Sequence, residues 1–408
     1  MPNATRHSEL FLVTGFLALI TAVPITQTAL ELARGQRVQA TDVVRHWPTA
    51  ATLRQFEHTL EEKSWFRQQL RPPLQAFLFH ALSDTGSKGV PGRDEWLFYR
   101  PDLRYLVEPN RRDTPPADSV WIAPSTGATR RESVARAIVR FRDQLRERDI
   151  ALLVVPVPGK PSVYPDQVTR RETGRRHPVA SPTLELLRAL EREDGRTGNL
   201  FATFGAARTG TPPGAAHTPL YLAQDTHWTP QGAQLAATAV ATRLRELALA
   251  PAAAKEFRTE PARVARCGDV LDMMQIPAWR GAFPRQTVDC LRVVDPILGP
   301  LVPAASDRPG TYRYPGQQAS VLVLGDSFSR IYQYAEPASL GDLVTAGATS
   351  VSTGTKRLLP GSAGFVSHLA LALQSPVDAI VSDGGASTDV RRRLSTNTEI
   401  LEGKKVVE

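Results

Sequence analysis

Three short aliphatic runs, separated by helical patterns, constrain the fold of this chain more than any other feature. They are "IALLVVPVP" (150–158), "SVLVLGDSFS" (320–329) and "VDAIVSD" (377–383). Each is rich in β-branched residues, which is typical of a strand buried on both faces of a parallel sheet. Strands that alternate with helices predict a doubly wound α/β sheet with helices on both faces.

The segments between these runs carry helical signals. Apolar residues recur at helical spacing before the first run, at Val134, Ile138, Phe141 and Leu145. Further helices are predicted over 183–193, 230–247 and 362–373. Pro230 stands at the first position of the helix over 230–247, with Thr229 as its cap.

These patterns divide the chain into four predicted regions. They are an N-terminal anchor (1–30), a helical lead-in with an aromatic segment (31–120), the α/β domain (121–390) and a polar tail (391–408) that we expect to be mobile. In the lead-in, residues 56–80 indicate an amphipathic helix that is broken or kinked at Pro72 and Pro73.

The N-terminus indicates the compartment. "LFLVTGFLALITAV" (Leu10 to Val23) is almost purely apolar and follows a short polar head. Its length lies between the core of a signal peptide and a full membrane span, and no clear A-x-A cleavage site follows. We expect an uncleaved signal anchor with the rest of the chain exported, although a buried core helix would give the same pattern.

Charge and cysteine content limit the partners. The net charge of +8 would allow the protein to bind nucleic acid, anionic lipid or an acidic polysaccharide. However, the basic residues are scattered along the chain, and no nucleic-acid-binding motif accompanies them. No nucleic-acid partner is therefore predicted. The two cysteines, Cys267 and Cys290, form no CxxC pair, which argues against a cysteine zinc site. One disulfide or two buried thiols both stay open.

A serine follows the second aliphatic run. In "VLVLGDSFSR", Ser327 comes directly after the carboxyl end of the predicted strand, and Gly325 permits a tight turn. A helix that starts after Ser327 would direct backbone N–H groups at anything bound to its oxygen, as in a nucleophile elbow. Gly, Asp and Ser are also ordinary turn residues, so the motif alone is a weak signal.

The stretch "DTHW" (225–228) supplies the base that a serine nucleophile needs. His227 can take the hydroxyl proton. Asp225 lies two residues earlier, so in an extended segment both side chains leave the same side of the backbone, and the carboxylate can orient the imidazole. A capped helix start with a polar histidine is the alternative. A metal pair would need further ligands, and no histidine-rich neighbour offers them.

Taken together, these motifs resemble the alginate O-acetyltransferases of the AlgJ and AlgX type over roughly residues 55–385. "GRDEWLFY" (92–99), "VPVPGKPSVYP" (155–165), "DTHWTPQG" (225–232) and "GDVLDMMQIP" (268–277) are similar to segments of that family. The family's domain is a permuted SGNH-hydrolase-like, flavodoxin-like α/β fold, in which the Asp–His pair precedes the serine, as it does here.

The resemblance implies a serine O-acetyltransferase of an exopolysaccharide. Asp225, His227 and Ser327 would take the triad roles, with an acetyl-Ser327 intermediate and no cofactor. It also implies a membrane-bound O-acyltransferase as acetyl donor, a polysaccharide acceptor, and a periplasmic location on the inner membrane or, after cleavage, free in the periplasm. The same triad would suit an acetylesterase, and a noncatalytic assembly subunit is a third reading.

Two departures from the pattern concern the aromatic segment and the oxyanion site. Glu95 replaces the second glycine of the family's G-x-x-G-W-L-F segment, and Trp96 and Phe98 are expected in the core. No asparagine follows the third aliphatic run, since the only later one is Asn397. The backbone N–H of Ser327 is therefore the expected oxyanion donor, with Gly354 as a second candidate.

Overall fold

The computed structural model describes residues 3–38, 41, 49–65, 69–82, 84–107, 130–210, 219–266, 268–274, 286–301, 310–314, 318–333, 361–382 and 386–408. The chain divides into two compact units. The first comprises Met1–Gly86 with Gln275–Pro277, and the second Ser87–Met274 with Ala278–Glu408. The predicted boundary at residue 120 lies outside the described residues, and the aromatic segment belongs to the second unit.

Within the first unit, the described chain forms three helices: α1 (Asn3–Ala33), α2 (Ala50–Lys63) and α3 (Arg71–Leu82). In α1, the stretch Leu12–Ala33 is long and apolar enough to cross a membrane, a criterion that a signal sequence also meets. The predicted break in the lead-in helix comes before the proline pair. Pro72 and Pro73 lie in the first turn of α3, where a missing N–H costs no intrahelical bond.

The strands of the second unit form three sheets. They are β1 (Gly89–Pro91), β2 (Leu97–Tyr99), β3 (Ala151–Val154), β4 (Arg196–Thr197), β5 (Arg258–Arg266), β6 (Gln286–Asp295), β7 (Gly299–Pro300), β8 (Thr311–Tyr312), β9 (Val321–Gly325), β10 (Val377–Val381) and β11 (Val406–Val407). The main sheet has the order β4-β3-β11-β9-β10-β8. All its described pairs are parallel except β10 with β8.

Eleven helices are described in the second unit. They are α4 (Arg100–Val107), α5 (Arg130–Arg146), α6 (Lys160–Val163), α7 (Pro165–Val168), α8 (Pro182–Arg192), α9 (Leu200–Gly210), α10 (Pro230–Glu246), α11 (Asp269–Met274), α12 (Ser327–Arg330), α13 (Phe365–Leu373) and α14 (Ala386–Ser395), joined by 3-10 turns at Arg170–Glu172 and Thr398–Leu401. The helices over 183–193, 230–247 and 362–373 are therefore confirmed within a few residues.

Alternate residues of each strand enter two separate cores. Val321 and Val323 pack with α10 and α13 on one face of the sheet, whereas Leu322 packs with α5 and α14 on the other. Because successive side chains of a strand point to opposite faces, a strand covered by helices on both sides is apolar throughout. The predicted doubly wound architecture is confirmed.

The C-terminal segment corrects one prediction. Residues 406–407, assigned to a mobile polar tail, form β11, which pairs with Ala151–Leu152 of β3 and with Val321–Leu322 of β9. Both valines are fully buried. The prediction failed because two apolar residues are too few to reveal a strand by pattern, and their partners lie far away in sequence.

A second sheet lies in the chain between the two motifs and was not anticipated. β5 and β6 form a long antiparallel pair, continued by β7. Cys290 is a buried free thiol on β6, and burial raises the pKa of this thiol to about 11. Because Cys290 is free, the structure does not form the alternative disulfide with Cys267, which itself lies outside the described residues.

Candidate active site

The "DTHW" stretch forms a closed loop ahead of α10. Tyr221 and Trp228 make an antiparallel bridge, and the N–H of Leu222 donates to the carbonyl of His227 at 3.1 Å. Thr229 caps α10 by accepting from the N–H of Gly232 at 3.1 Å, as predicted. Trp228 is 1% exposed and points into the core, so the loop holds the polar residues 225–227 on its other side.

The structure brings Asp225 and His227 together. Asp225 Oδ1 lies 2.7 Å from His227 Nδ1 and also accepts the N–H of His227 at 2.9 Å. Burial opposes protonation of the imidazole, but the Asp225 carboxylate outweighs burial and raises the pKa of His227. An Nδ1–H held by a carboxylate leaves Nε2 free to accept a proton, which is the arrangement a general base requires.

Two residues complete the environment of Asp225, and sequence analysis assigned a role to neither. Arg266, on β5, places its guanidinium 2.8 Å from Asp225 Oδ2, which also accepts the N–H of Asp269 at 3.1 Å. Burial alone would raise the pKa of Asp225, but Arg266 and His227 hold it well below its usual range. Asp269 stands in the "GDVLDMM" segment that carried part of the resemblance, so a signal for it existed. Arg266 had none.

Ser327 lies where the sequence predicted, at the first position of α12 directly after β9. Asp326 caps this turn, and its Oδ1 accepts the N–H of Phe328 at 3.0 Å. A Cβ at Gly325 would stand 2.4 Å from Ser329 Cβ, so glycine is required for the turn to fold back on the strand. As the first residue of the turn, Ser327 has an N–H with no carbonyl of its own helix to bind.

Residues that follow Ser327 in the chain connect its turn to the "DTHW" loop. The ring of Phe328 lies 4.8 Å from the ring of His227, and the hydroxyl of Tyr332 donates to the carbonyl of Trp228 at 3.0 Å. His227 Nε2 is buried and has no hydrogen-bond partner in the described part of the chain, so it makes no hydrogen bond to the Ser327 hydroxyl. In resting enzymes such bonds are often long and shorten in the complex with substrate.

Lys160, in the first turn of α6, fixes the loop from behind. Its Nζ donates to the carbonyls of Leu97 (2.6 Å), Ala223 (2.6 Å) and Asp225 (2.9 Å). The ammonium also lies over the rings of Trp96 and Phe98, at 4.9 and 5.0 Å. Burial lowers the pKa of Lys160 to about 7. Three carbonyl acceptors nevertheless use all three protons of the charged form.

The aromatic segment serves the core, as expected. Phe98 is fully buried, and Trp96 packs against it and against Tyr164, whose ring centroid is 4.6 Å away. Glu95 has φ +63°, in the left-handed region that favours glycine. That conformation explains why glycine suits this position in the segment that the chain resembles.

The remaining oxyanion candidates lie mostly outside the described residues. Gly354 and the stretch 383–385 after β10 belong to that group. Asn397 is buried at the start of a 3-10 turn in the C-terminal segment. Among the described residues, the backbone N–H of Ser327 therefore remains the candidate oxyanion donor.

The side chains of Asp225, His227 and Asp269 offer three ligand-type atoms within 4.8 Å of one another. Asp269 thus provides the third group that the sequence did not reveal. However, His227 Nδ1 and both oxygens of Asp225 are already engaged in hydrogen bonds, and the Arg266 charge opposes a second cation there. The donor set fits a hydrogen-bonded proton-transfer site better than a metal centre.

Comparison with known proteins identifies the family and the fold. The family described as "SGNH hydrolase-like domain, acetyltransferase AlgX" matches residues 90–389. A "Probable alginate O-acetylase AlgJ" of Pseudomonas putida is 25% identical over 252 residues, which is 61% of this chain and 57% of the relative. Its Pseudomonas aeruginosa counterpart is 25% identical over 227 residues, 55% of this chain and 51% of the relative. The chain thus spans about half the length of the curated relatives it matches.

Solved structures show the same fold. The O-acetyltransferase domain of Pseudomonas putida AlgJ superimposes with a TM-score of 0.51 at 19% identity, covering 78% of this chain and 88% of that one. Pseudomonas aeruginosa AlgX gives a TM-score of 0.50 at 18% identity, covering 82% and 65%. At this level of identity the likeness concerns the fold.

Proposed function

The chain belongs to the AlgX family of SGNH hydrolase-like acetyltransferase domains, and on this basis we propose that it is an exported serine O-acetyltransferase of an exopolysaccharide. The observation that carries the proposal is the buried Asp225–His227 pair, whose free Nε2 lies on a ring in contact with the residue after Ser327. The printed names of the curated relatives, probable alginate O-acetylases, support the substrate class.

The proposed reaction has two steps. The Ser327 hydroxyl attacks the carbonyl carbon of the acetyl donor, His227 Nε2 takes the hydroxyl proton, and the donor's leaving group departs with that proton. A sugar hydroxyl then gives its proton to Nε2 and attacks the acetyl-serine, and Ser327 leaves with the proton restored. Asp225 holds the imidazole in the required tautomer, and the Ser327 N–H stabilises the oxyanion in both steps.

The partners follow from the membrane-proximal location that we propose. The stretch Leu12–Ala33 would anchor the chain in the inner membrane, with the second unit in the periplasm. Acetyl-CoA does not occur there, so a membrane-bound O-acyltransferase would deliver the acetyl group. The net charge of +8 favours an acidic polymer such as alginate as acceptor. Recovery of the intact chain in the cytosolic fraction would contradict this location.

Acetylation of the protein tests the nucleophile. An activated acetyl ester should add one acetyl group, read by mass spectrometry and mapped by peptide analysis to Ser327. Ser327→Ala should abolish the label, whereas Ser329→Ala, a buried serine of the same turn, is the matched control that should retain it. Label that persists at another residue of the Ser327→Ala protein would refute the assignment.

A second assay separates transfer from hydrolysis. A hydroxyl bound next to the acetyl-serine outcompetes bulk water through proximity. Uronate oligosaccharides should therefore accelerate loss of acetyl from the enzyme, and the acetyl should appear on the sugar. If free acetate is the only product across acidic and neutral oligosaccharides, and the rate is independent of them, the protein is an esterase.

A further inference from the structure

Asp269 contacts three residues of the proposed catalytic loop. Its Oδ1 accepts the N–H of Thr226 at 2.7 Å, and its Oδ2 accepts the hydroxyl of Thr226 at 2.5 Å. The same Oδ2 lies 3.3 Å from His227 Nδ1, and the N–H of Asp269 donates to Asp225 Oδ2. His227 Nδ1 therefore faces two carboxylates, Asp225 at 2.7 Å and Asp269 behind it.

The two carboxylates beside the imidazole differ in how far a positive charge compensates them. Asp225 is fully buried, and Arg266 forms an ion pair with it at 2.8 Å, so the two charges largely cancel. Asp269 is 20% exposed in its side chain, and its described hydrogen bonds go to the neutral Thr226 and to His227. When His227 takes a proton, Asp269 is a second negative charge beside it; in the described part of the chain the Arg266 ion pair is with Asp225, and the Arg266 charge acts on Asp269 only at longer range.

We infer that Asp269 is a positioning residue that supplies a second counter-charge for protonated His227, beside that of Asp225, which also sets the tautomer. The inference rests on the proposed role of His227 as general base. Two carboxylates would thus share the counter-charge that one carboxylate provides in a simple triad. Thr226 takes part by holding the Asp269 carboxylate in place through its N–H and its hydroxyl.

Other ionisable groups face this cluster from neighbouring elements. Asp102, on α4, and Lys160, on α6, carry opposite charges and interact with it without a hydrogen bond to His227. Burial, followed by the charge of Asp269, raises the pKa of Asp102 to about 6, so Asp102 is partly neutral near that pH. Burial also raises the pKa of Tyr99 and Tyr332, which therefore stay neutral. None of these groups replaces Asp269 as the adjacent negative charge.

The test is Asp269→Asn, which keeps an oxygen for Thr226 but removes the charge. Loss of a negative charge beside the imidazolium destabilises the protonated form, so the pKa of His227 should fall by at least about one unit. The acid limb of the pH–rate profile should move to lower pH. The plateau kcat should fall at least about tenfold, because each 1.36 kcal/mol is a factor of ten in rate. The KM for the acetyl ester should not change.

The His227 pKa is measured by NMR titration of ¹⁵N-histidine-labelled full-length protein, with the His227→Gln spectrum used for assignment. This readout does not depend on acetyl transfer, so it remains decisive if the proposed activity is wrong. Asp272→Asn removes one negative charge from the same short helix, α11, and is the matched control that should leave the pKa in place.

Several results would overturn the inference. One is an unchanged His227 pKa in a folded Asp269→Asn protein. If that variant does not fold, Asp269→Glu, which keeps the charge, replaces it. The pKa of His227 must stay raised in the Asp269→Glu protein, and an ordinary pKa of His227 there would also overturn the inference. Loss of activity on chelation, with recovery on adding zinc, would assign the three side chains to a metal instead.

Discussion

Gly268→Ala should disable the site through a single methyl group. Gly268 precedes Asp269, and a Cβ at this position would stand 1.7 Å from the carbonyl oxygen of Gln224 and 2.7 Å from the N atom of Asp225. Both atoms belong to the backbone of the proposed catalytic loop, so no side-chain rotation relieves the overlap. The two segments must separate by more than 1 Å before the contact becomes tolerable.

The cost follows from the bonds that this separation breaks. The link consists of the N–H of Asp269 to Asp225 and of two bonds from Thr226 to the Asp269 carboxylate. Overpacking costs about 1–3 kcal/mol, and each hydrogen bond to a charged group is worth about 1.5–3 kcal/mol. We expect a loss of about 3–5 kcal/mol in the free energy of unfolding. Because displacement of a catalytic group by about 1 Å lowers rates about 100-fold, acetyl transfer should fall at least that far.

The assay pairs denaturant unfolding with the initial rate of acetylation of the protein by an activated acetyl ester. Gly159→Ala is the matched control, because a Cβ there would meet its nearest atoms at 3.8 and 4.0 Å, which is ordinary contact. Gly159 also lies beside Lys160, so this variant shows whether any glycine-to-alanine change near the site lowers the stability or the rate. Wild-type stability and rate in Gly268→Ala would refute the argument that this close approach positions Asp225 and His227.

Three further single substitutions and one pH dependence follow from the structure. Glu95→Gly should raise the free energy of unfolding by about 0.5–1 kcal/mol, since it relieves a left-handed backbone at some entropic cost; a lower melting temperature would contradict this. Lys160→Met leaves the Asp225 carbonyl without its donor and should cost about 2–4 kcal/mol with reduced acetylation; an unchanged urea midpoint would contradict it. The stabilisation from His227 should be complete below its ordinary pKa of 6.5 and lost as pH rises through its raised folded value, so the stability gap to His227→Gln should narrow above pH 6.5 in urea titrations. Lys404→Met should lower the free energy of unfolding by about 3–5 kcal/mol, because it leaves a buried carboxylate without its partner charge.

The sequence predicted those parts of the fold whose signal is local. The runs at 150–158, 320–329 and 377–383 contain the observed β3, β9 and β10, because strands buried on both faces must be apolar at every position. The cap and first position of α10 were likewise readable from Thr229 and Pro230. The antiparallel insert of β5 to β7 was not predicted, since its long strands mix charged and apolar residues and only part of β6 is buried.

In the site, too, the sequence predicted the local contacts and missed those between distant segments. Asp225 and His227 are two residues apart, so their contact is local and could be predicted from the sequence, although it forms in a bend in which Asp225 also accepts the His227 N–H and not in an extended segment. Arg266 and Asp269 reach the same carboxylate from 41 and 44 residues away in the chain, from β5 and from the start of α11. Nothing local marks Arg266 as a partner of the loop, and the similarity of "GDVLDMM" drew attention to the segment of Asp269 without giving that residue a role. Non-local ion pairs of this kind require the three-dimensional structure.

The C-terminal strand shows how much a short non-local element can contribute. β11 fills the centre of the main sheet between β3 and β9, and the backbone of Glu408 bonds to Leu322 and Leu324 of β9, the strand that leads to Ser327. Lys404 secures this segment, since its Nζ lies 2.8 Å from Asp378 Oδ2 with both side chains buried.

Removing Lys404 leaves the Asp378 carboxylate buried and unpaired, which is the costly way to break such a pair. Lys404→Met should therefore weaken hydrogen-exchange protection of the 406–408 amides and lower the urea midpoint, while Lys405→Met, at an exposed neighbour, should change neither. The double variant Lys404→Met/Asp378→Leu should recover much of the loss, because it removes the stranded charge. If Lys404→Met alone leaves exchange at 406–408 unchanged, the pair does not hold β11, and backbone pairing with β3 and β9 suffices.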